Sequence, residues 1–159
     1  RDTQALEQYL PSGVVLKAQS DEMACIAVQG PRSEVILEKL FSFGLRDLRY
    51  YRFKEEKFMG EPVWVSRSGY TGEDGFEIFS RNDLAPLVWD RLVEQGKAEG
   101  ALPAGLGARN TLRLEAGNAL YGHEITPLTT PIEAGLGGGF RVRAAYHWRV
   151  FPAGWRARP

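Results

Sequence analysis

The chain mixes two hydrophobic periods. Apolar positions repeat with helical spacing at Val35, Ile36 and Leu40, after a Gly30-Pro31 opening where proline's missing N–H costs little. They repeat so again at Leu84, Leu87, Val88 and Leu92, with Asn82 as the expected N-cap of a helix ending near Glu94. Residues 4–10 read as the end of a helix closed by the breaker cluster Pro11-Ser12-Gly13, and Ala104–Glu115 reads as a helix started by Pro103. Short β-branched or aromatic runs interrupt these helices. Val14–Leu16, Ile26–Val28, residues 49–53, residues 62–67 and the pair Ile78-Phe79 are expected strands, with Gly60 in the turn between the third and fourth. Strands and helices alternate without a strict βαβ period. The expected class is therefore α+β, with antiparallel sheets and packed helices.

Composition narrows the classes of function. The 159 residues carry 20 basic and 20 acidic side chains, which removes the bulk-charge argument for binding nucleic acid or an anionic membrane. One cysteine, Cys25, excludes an internal disulfide framework. No apolar run approaches the roughly 18 residues of a membrane-spanning helix, and Arg1-Asp2-Thr3-Gln4 has no signal-peptide pattern. Charge is unevenly spread. Five arginines and no acid fall between Leu136 and Pro159, leaving fifteen basic against twenty acidic residues elsewhere. Such a tail reads either as an anion-binding arm or as a solvated or unnatural terminus.

Two segments hold the chemistry. Ser68-Gly69-Tyr70-Thr71-Gly72-Glu73-Asp74-Gly75-Phe76-Glu77 places three glycines within seven residues, so backbone can approach a ligand closely or take positive φ. The same Gly-Glu-Asp-Gly also suits a plain hairpin turn. It lacks the ligand alternation of a calcium loop and the Gly-Lys-Ser/Thr of a phosphate loop. The second segment, Pro103–Gly117, brings Gly105 and Gly107 to a helix start, where unpaired N–H groups attract anions. Its Arg109 and Arg113 are four apart and share a helical face, so an anion is expected between them: an internal glutamate or a ligand carboxylate.

In this order and at this separation, the two segments resemble the aminomethyltransferase of the glycine cleavage system, the T-protein family. The likeness extends through Ala27-Val28-Gln29-Gly30-Pro31, Ser66–Glu77, Leu120–Glu124 and Thr129–Gly137, covering residues 2–137. Family members are much longer and have three domains around a folate channel. By this resemblance residues 1–137 are a central folate-binding region, truncated at both ends. Residues 138–159, which lose the family pattern, form an atypical Arg-rich tail of the kind a frameshift produces. The implied reaction moves a one-carbon unit from the aminomethyl-lipoyl arm of H-protein to tetrahydrofolate and releases ammonia. The implied partners are lipoylated H-protein and tetrahydrofolate, with no metal, nucleic acid or membrane. The implied compartment is the cytoplasm, or the mitochondrial matrix in a eukaryote.

The resemblance also assigns residues. Glu77 matches the pterin-binding carboxylate, whose two oxygens accept parallel donors. Tyr70 matches a tyrosine lining the folate pocket, and Arg109 a folate-contacting arginine. Arg113 is expected to be a structural partner of Glu115 or Glu73, while Glu73 and Asp74 serve the turn. Asn110 replaces the usual Asp, removing one acid beside Arg109. Arg1-Asp2-Thr3-Gln4-Ala5-Leu6 matches the spacing around the family's essential acid, making Asp2 the candidate that orients folate N5 and assists proton movement. Tyr121 and His123 are assigned no catalysis. Two alternatives stay open: a non-catalytic folate-binding or interaction module of the same superfamily, and the folate domain of a sarcosine- or dimethylglycine-oxidising enzyme. Truncation implies that the isolated chain binds folate weakly and turns over little.

Overall fold

The computed structural model describes residues 2–42 and 44–136. Two compact units divide the chain, residues 1–118 and 119–159. The expected Arg-rich tail, 138–159, lies outside the described residues.

The first unit is built on one four-stranded antiparallel sheet. The strands are β1 (Met23–Gln29), β2 (Phe53–Phe58), β3 (Glu61–Ser66) and β4 (Gly75–Arg81), in spatial order β1-β4-β3-β2. The helices are α1 (Asp2–Glu7), α2 (Ser33–Glu38), α3 (Ala85–Gly96) and α4 (Leu106–Glu115), of which α2 and α3 pack on the sheet. The α+β expectation is borne out.

Period-two patterning sorts the two faces of the sheet. Val63, Val65, Phe76 and Ile78 are completely buried on one face. They pack there with Ile36 and Leu37 of α2, Val88 and Leu92 of α3, and Phe41, Leu45, Leu48 and Phe58. Burying each such side chain contributes about 1.5–3 kcal/mol, so this face holds the unit together. The opposite face carries Met23, Cys25, Ala27 and Gln29 of β1, Glu77 and Phe79 of β4, and Trp64 and Ser66 of β3, as the register requires. The core cluster with α2 and α3 lies on the other side, and of the sequence candidates this face carries Glu77.

Several expected boundaries moved. Val14–Leu16 forms no strand; Val15 is 89% exposed, and β-branching alone does not create a strand without a neighbour to pair with. The strand expected at 49–53 starts only at Phe53 and runs through the charged Lys54–Lys57, because β2 is an edge strand with polar side chains in solvent. The four residues before it turn instead. Tyr51 N–H donates to Arg67 O (2.8 Å) and Arg67 N–H to Arg52 O (2.9 Å), so two residues oppose one in a bulge, with Tyr51 at φ 59°. Asn82 is not the cap of α3. Its Nδ2 donates to Asp21 O (2.7 Å), tying down the segment before β1, and the helix starts at Ala85 with Pro86 in its first turn.

The described part of the second unit is a series of turns. Gly122 N–H donates to Ile125 O, and Leu120 N–H to Glu124 Oε2. Thr130 and Glu133 bond reciprocally: Glu133 Oε2 accepts from Thr130 N–H and Oγ1 (both 2.9 Å), while Glu133 N–H donates to Thr130 Oγ1 (3.3 Å). Those bonds hold the Glu133 carboxyl below its ordinary value.

Candidate functional site

The site begins with the connection from β3 to β4, residues 67–74. Arg67 anchors its start. Its Nε and Nη2 grip the Asp74 carboxylate (2.9 and 2.5 Å), Nη2 also reaches Glu34 (3.2 Å), and Nη1 donates to the carbonyls of Leu45 and Leu48 (3.3 and 3.2 Å). Five bonds match the five N–H donors of a guanidinium. Arg67 also stacks against Phe76, 5.2 Å from the ring centroid. In return it holds the Asp74 carboxyl below its ordinary value. Gly30 N–H closes the other side by donating to Asp74 O (2.8 Å). Asp74 is thus a turn residue, as expected.

Glycine is required in this bend for positive φ at one position and for close internal packing at three. A Cβ at Gly69 would stand 1.9 Å from Gln29 Oε1, and one at Gly75 would stand 2.3 Å from the same atom. A Cβ at Gly72 would stand 2.8 Å from the Ala116 Cβ, and Gly72 has φ +81°. The space left by the missing side chains is occupied by this chain's own Gln29 and Ala116. On the side a Cβ would take, the glycines admit an internal amide and the end of α4, and Gly72 takes the positive φ that the sequence suggested.

The bend delivers two of the sequence candidates. Glu77 follows on β4, on the sheet face away from the core. Its Oε2 accepts from Ser68 Oγ (2.6 Å), Ser68 Oγ lies 2.9 Å from Ser66 Oγ, and among the described residues Glu77 Oε1 takes no bond. Tyr70 sits mid-bend, its carbonyl accepting from Asn118 Nδ2 (3.1 Å). The Arg109 guanidinium of α4 lies over the Tyr70 ring, 4.4 Å from its centroid. A cation over an aromatic face is attracted by about 0.5–1 kcal/mol where solvent reaches it.

Electrostatics ties these groups together. Burial pushes the Cys25 thiol up; the Glu77 carboxylate pushes it further and the Arg109 guanidinium opposes. The Tyr50 and Tyr51 rings meet at a 52° tilt with centroids 4.2 Å apart, and the Tyr50 phenol is raised first by its bond to Tyr51 and then by burial, with smaller contributions from Asp74 and Glu77. A groove of about 420 Å³ lies on the same sheet face, lined by Gln19, Met23, Phe53, Trp64, Ser66 and Phe79. Its Ser66 is the hydroxyl beside Ser68.

Arg109 and Arg113 stand in different environments. Arg113 is 2% exposed and donates to Asn110 Oδ1 (2.9 Å) and Asn118 O (3.1 Å), while Arg109 is exposed. Asn110 serves Arg113, so its replacement of an Asp leaves the Arg109–Tyr70 contact intact. Asp2 opens α1, but its side chain lies outside the described residues. Sequence reasoning missed Gln29, Ser68 and the Tyr50-Tyr51 pair. For Gln29 a signal existed, since it lies within the matched Ala27–Pro31 segment. Among the described residues no group of His, Cys, Asp and Glu could hold a metal ion, and no helix is long and apolar enough to cross a membrane.

Comparison with known proteins places this geometry in a family. An aminomethyltransferase of Leptospira interrogans is 48% identical over 136 residues, 85% of this chain and 37% of that protein. An aminomethyltransferase of Bacillus licheniformis is 42% identical over 146 residues, 91% of this chain and 40% of that protein. This chain thus spans about two fifths of the length of these curated relatives. The crystal structure of glycine cleavage system aminomethyltransferase T from Bartonella henselae superposes with a TM-score of 0.64 at 36% identity, over 73% of this chain and 30% of that one. A chain of heterotetrameric sarcosine oxidase from Corynebacterium sp. U-96 shares the fold, with a TM-score of 0.53 at 18% identity, over 65% of this chain and 53% of that one. The family described as the GCVT N-terminal domain matches residues 1–143, and the chain belongs to it.

Proposed function

We propose that this chain supplies the folate-holding region of a glycine cleavage aminomethyltransferase. The whole protein would pass the one-carbon unit of an aminomethyl-lipoyl H-protein to tetrahydrofolate and release ammonia. The observation that carries the reading is the bend itself, which sets the Ser68-oriented Glu77 carboxylate on β4 and, in its middle, the Tyr70 ring beneath the Arg109 guanidinium. The residues fit a reduced pterin. Glu77 has one oxygen oriented by Ser68 and the other available to N–H donors of a pterin edge. The Phe53, Trp64 and Phe79 groove nearby suits a flat, partly apolar ring.

In this reading Glu77 accepts the pterin donors and fixes the plane of the ring. The Tyr70 ring and the Arg109 cation bound the pocket, with Arg109 available to folate's anionic end. Asp2 holds folate N5 and assists proton movement, and position beside the reacting atoms supplies much of its effect. Bound tetrahydrofolate would supply the nitrogen nucleophile that accepts the one-carbon unit. Lipoylated H-protein is the partner, and the compartment is the cytoplasm, or the mitochondrial matrix of a eukaryote.

Calorimetric titration of the chain with tetrahydrofolate tests the pocket, and a turnover assay with loaded H-protein tests the reaction. Weak but measurable binding that Glu77→Ala removes is the expected result. No heat of binding at millimolar tetrahydrofolate would refute the pocket. Binding without turnover would identify the chain as a folate-binding module.

A further inference from the structure

We infer that Gln29 is a positioning residue for this site, acting on the ligand through the bend rather than by touching it. The inference deepens the folate reading and rests on it. Gln29 is the last residue of β1 and sits directly opposite Gly75, the first residue of β4. On that side its amide spans both ends of the bend. Nε2 donates to Ser68 O (3.1 Å) at the entry and to Phe76 O (3.2 Å) at the exit, and Oε1 lies 3.5 Å from the Thr71 hydroxyl in the middle. A primary amide has two N–H donors; both are used here. Ser68 and Phe76 are neighbours in the sequence of the groups that matter: Ser68 orients Glu77, and Phe76 precedes it.

Gly69 and Gly75 are the other half of the device. A methyl group at either would displace the amide, and displacement would break its bonds to the two carbonyls. Gln29 and the two glycines thus form one unit, in which the amide fixes the distance between the strand ends carrying Ser68 and Glu77. A carboxylate held within a few tenths of an ångström binds a planar donor pair well, and displacement of about 1 Å costs on the order of a hundredfold in comparable catalytic sites.

The test uses the full 159-residue chain, with tetrahydrofolate as the probe, and measures affinity, thermal midpoint and amide hydrogen exchange. Gln29→Met keeps the length of the side chain but removes both donors. It should retain a cooperative unfolding transition, speed exchange at residues 69–74, and weaken tetrahydrofolate binding about tenfold or more. Gly75→Ala should reproduce that pattern, since it expels the amide. The double variant Gln29→Ala with Gly75→Ala separates positioning from packing. It should recover thermal midpoint relative to Gly75→Ala alone, because the methyl group now fills vacated space, without recovering affinity. Affinity restored along with the midpoint would overturn the inference, as would Gln29→Met that binds like the parent or leaves exchange in the bend unchanged. If the parent chain binds no tetrahydrofolate while Gln29→Met still loosens residues 69–74, the folate reading fails and the control of the bend by Gln29 is upheld.

Discussion

Ser68 Oγ donates to Glu77 Oε2 at 2.6 Å, so the carboxylate on β4 is oriented by the residue that opens the bend before it. A hydroxyl bonded to a carboxylate is a charge-assisted contact, shorter and stronger than a neutral one. It fixes the rotation of Glu77 and leaves Oε1 available. Glu77→Ala should therefore abolish tetrahydrofolate binding, and Ser68→Ala should weaken it about tenfold. Glu73→Ala, which removes an exposed carboxylate of the same motif, should change it less than twofold. Calorimetric titration of the three variants decides the matter; equal losses at Glu73 and Glu77 would remove the pterin role from Glu77.

Arg109 has a different kind of role. It is exposed, and among the described residues it has no ion pair; the Tyr70 ring is its contact. Removing such a contact costs at most about 1 kcal/mol of stability. Arg109→Gln should therefore unfold within a few degrees of the parent chain while binding tetrahydrofolate at least tenfold more weakly, with the loss shrinking as salt is raised. A large fall in thermal midpoint would make Arg109 a structural residue. Arg113→Gln is the contrasting case. It strips a buried guanidinium from Asn110 and Asn118 and should destabilise the unit by about 3 kcal/mol.

These contrasts show what was legible in the sequence. Part of the core was legible, because Ile36, Val88 and Leu92 keep helical spacing and Val63, Val65 and Ile78 fall in expected strands, whereas Phe76 was read only as part of the glycine-rich motif. Glu77 and Arg109 were found through motif order, which preserves residues without revealing what they touch. What stayed hidden was set by distant partners. Nothing local to Asn82 shows that its amide bonds to Asp21, sixty-one positions earlier. Nothing local to Gly69 shows that Gln29 occupies its missing side chain. Val14–Leu16 has the composition of a strand and no neighbour to pair with. Arg109 and Arg113 share a helical spacing, yet burial of one separates their environments.

Arg67 gives stability a pH dependence. Its guanidinium holds the Asp74 carboxyl below the ordinary value of 3.8 in the folded chain. Depression means that the folded state binds the proton less readily than the unfolded one. The stabilisation is therefore present above about pH 4 and is lost as pH falls through the depressed folded value. Asp74→Asn should lower the urea midpoint at pH 7, and the gap from the parent chain should narrow as pH is lowered from 4 to 2. A gap of constant width over that range would show that the ion pair contributes nothing through charge. Arg67→Lys should not rescue the network, since an ammonium has three donors for a site that uses five. It should cost about 1–2 kcal/mol at pH 7.

The hairpin between β2 and β3 carries strain that can be removed without touching the site. Phe58 pairs with Glu61, so Met59 and Gly60 form a two-residue loop, and both have positive φ, 53° and 88°. This is the backbone of a type I′ turn, whose twist matches the strands it joins and whose first position favours Asn, Asp or Gly. Methionine there costs on the order of 1 kcal/mol, because its Cβ crowds the carbonyl in the left-handed region. Its side chain is 70% exposed, so little packing offsets that cost. Met59→Asn keeps a side chain that tolerates the left-handed region. It should stabilise the chain by about 0.5–1 kcal/mol and raise the thermal midpoint by about 2–5 °C. Tetrahydrofolate affinity should be unchanged, because the turn lies at the opposite end of β3 from Ser66. Differential scanning calorimetry checks the first expectation and titration the second. A lowered midpoint would mean that the exposed methionine contributes more through packing than the left-handed backbone costs.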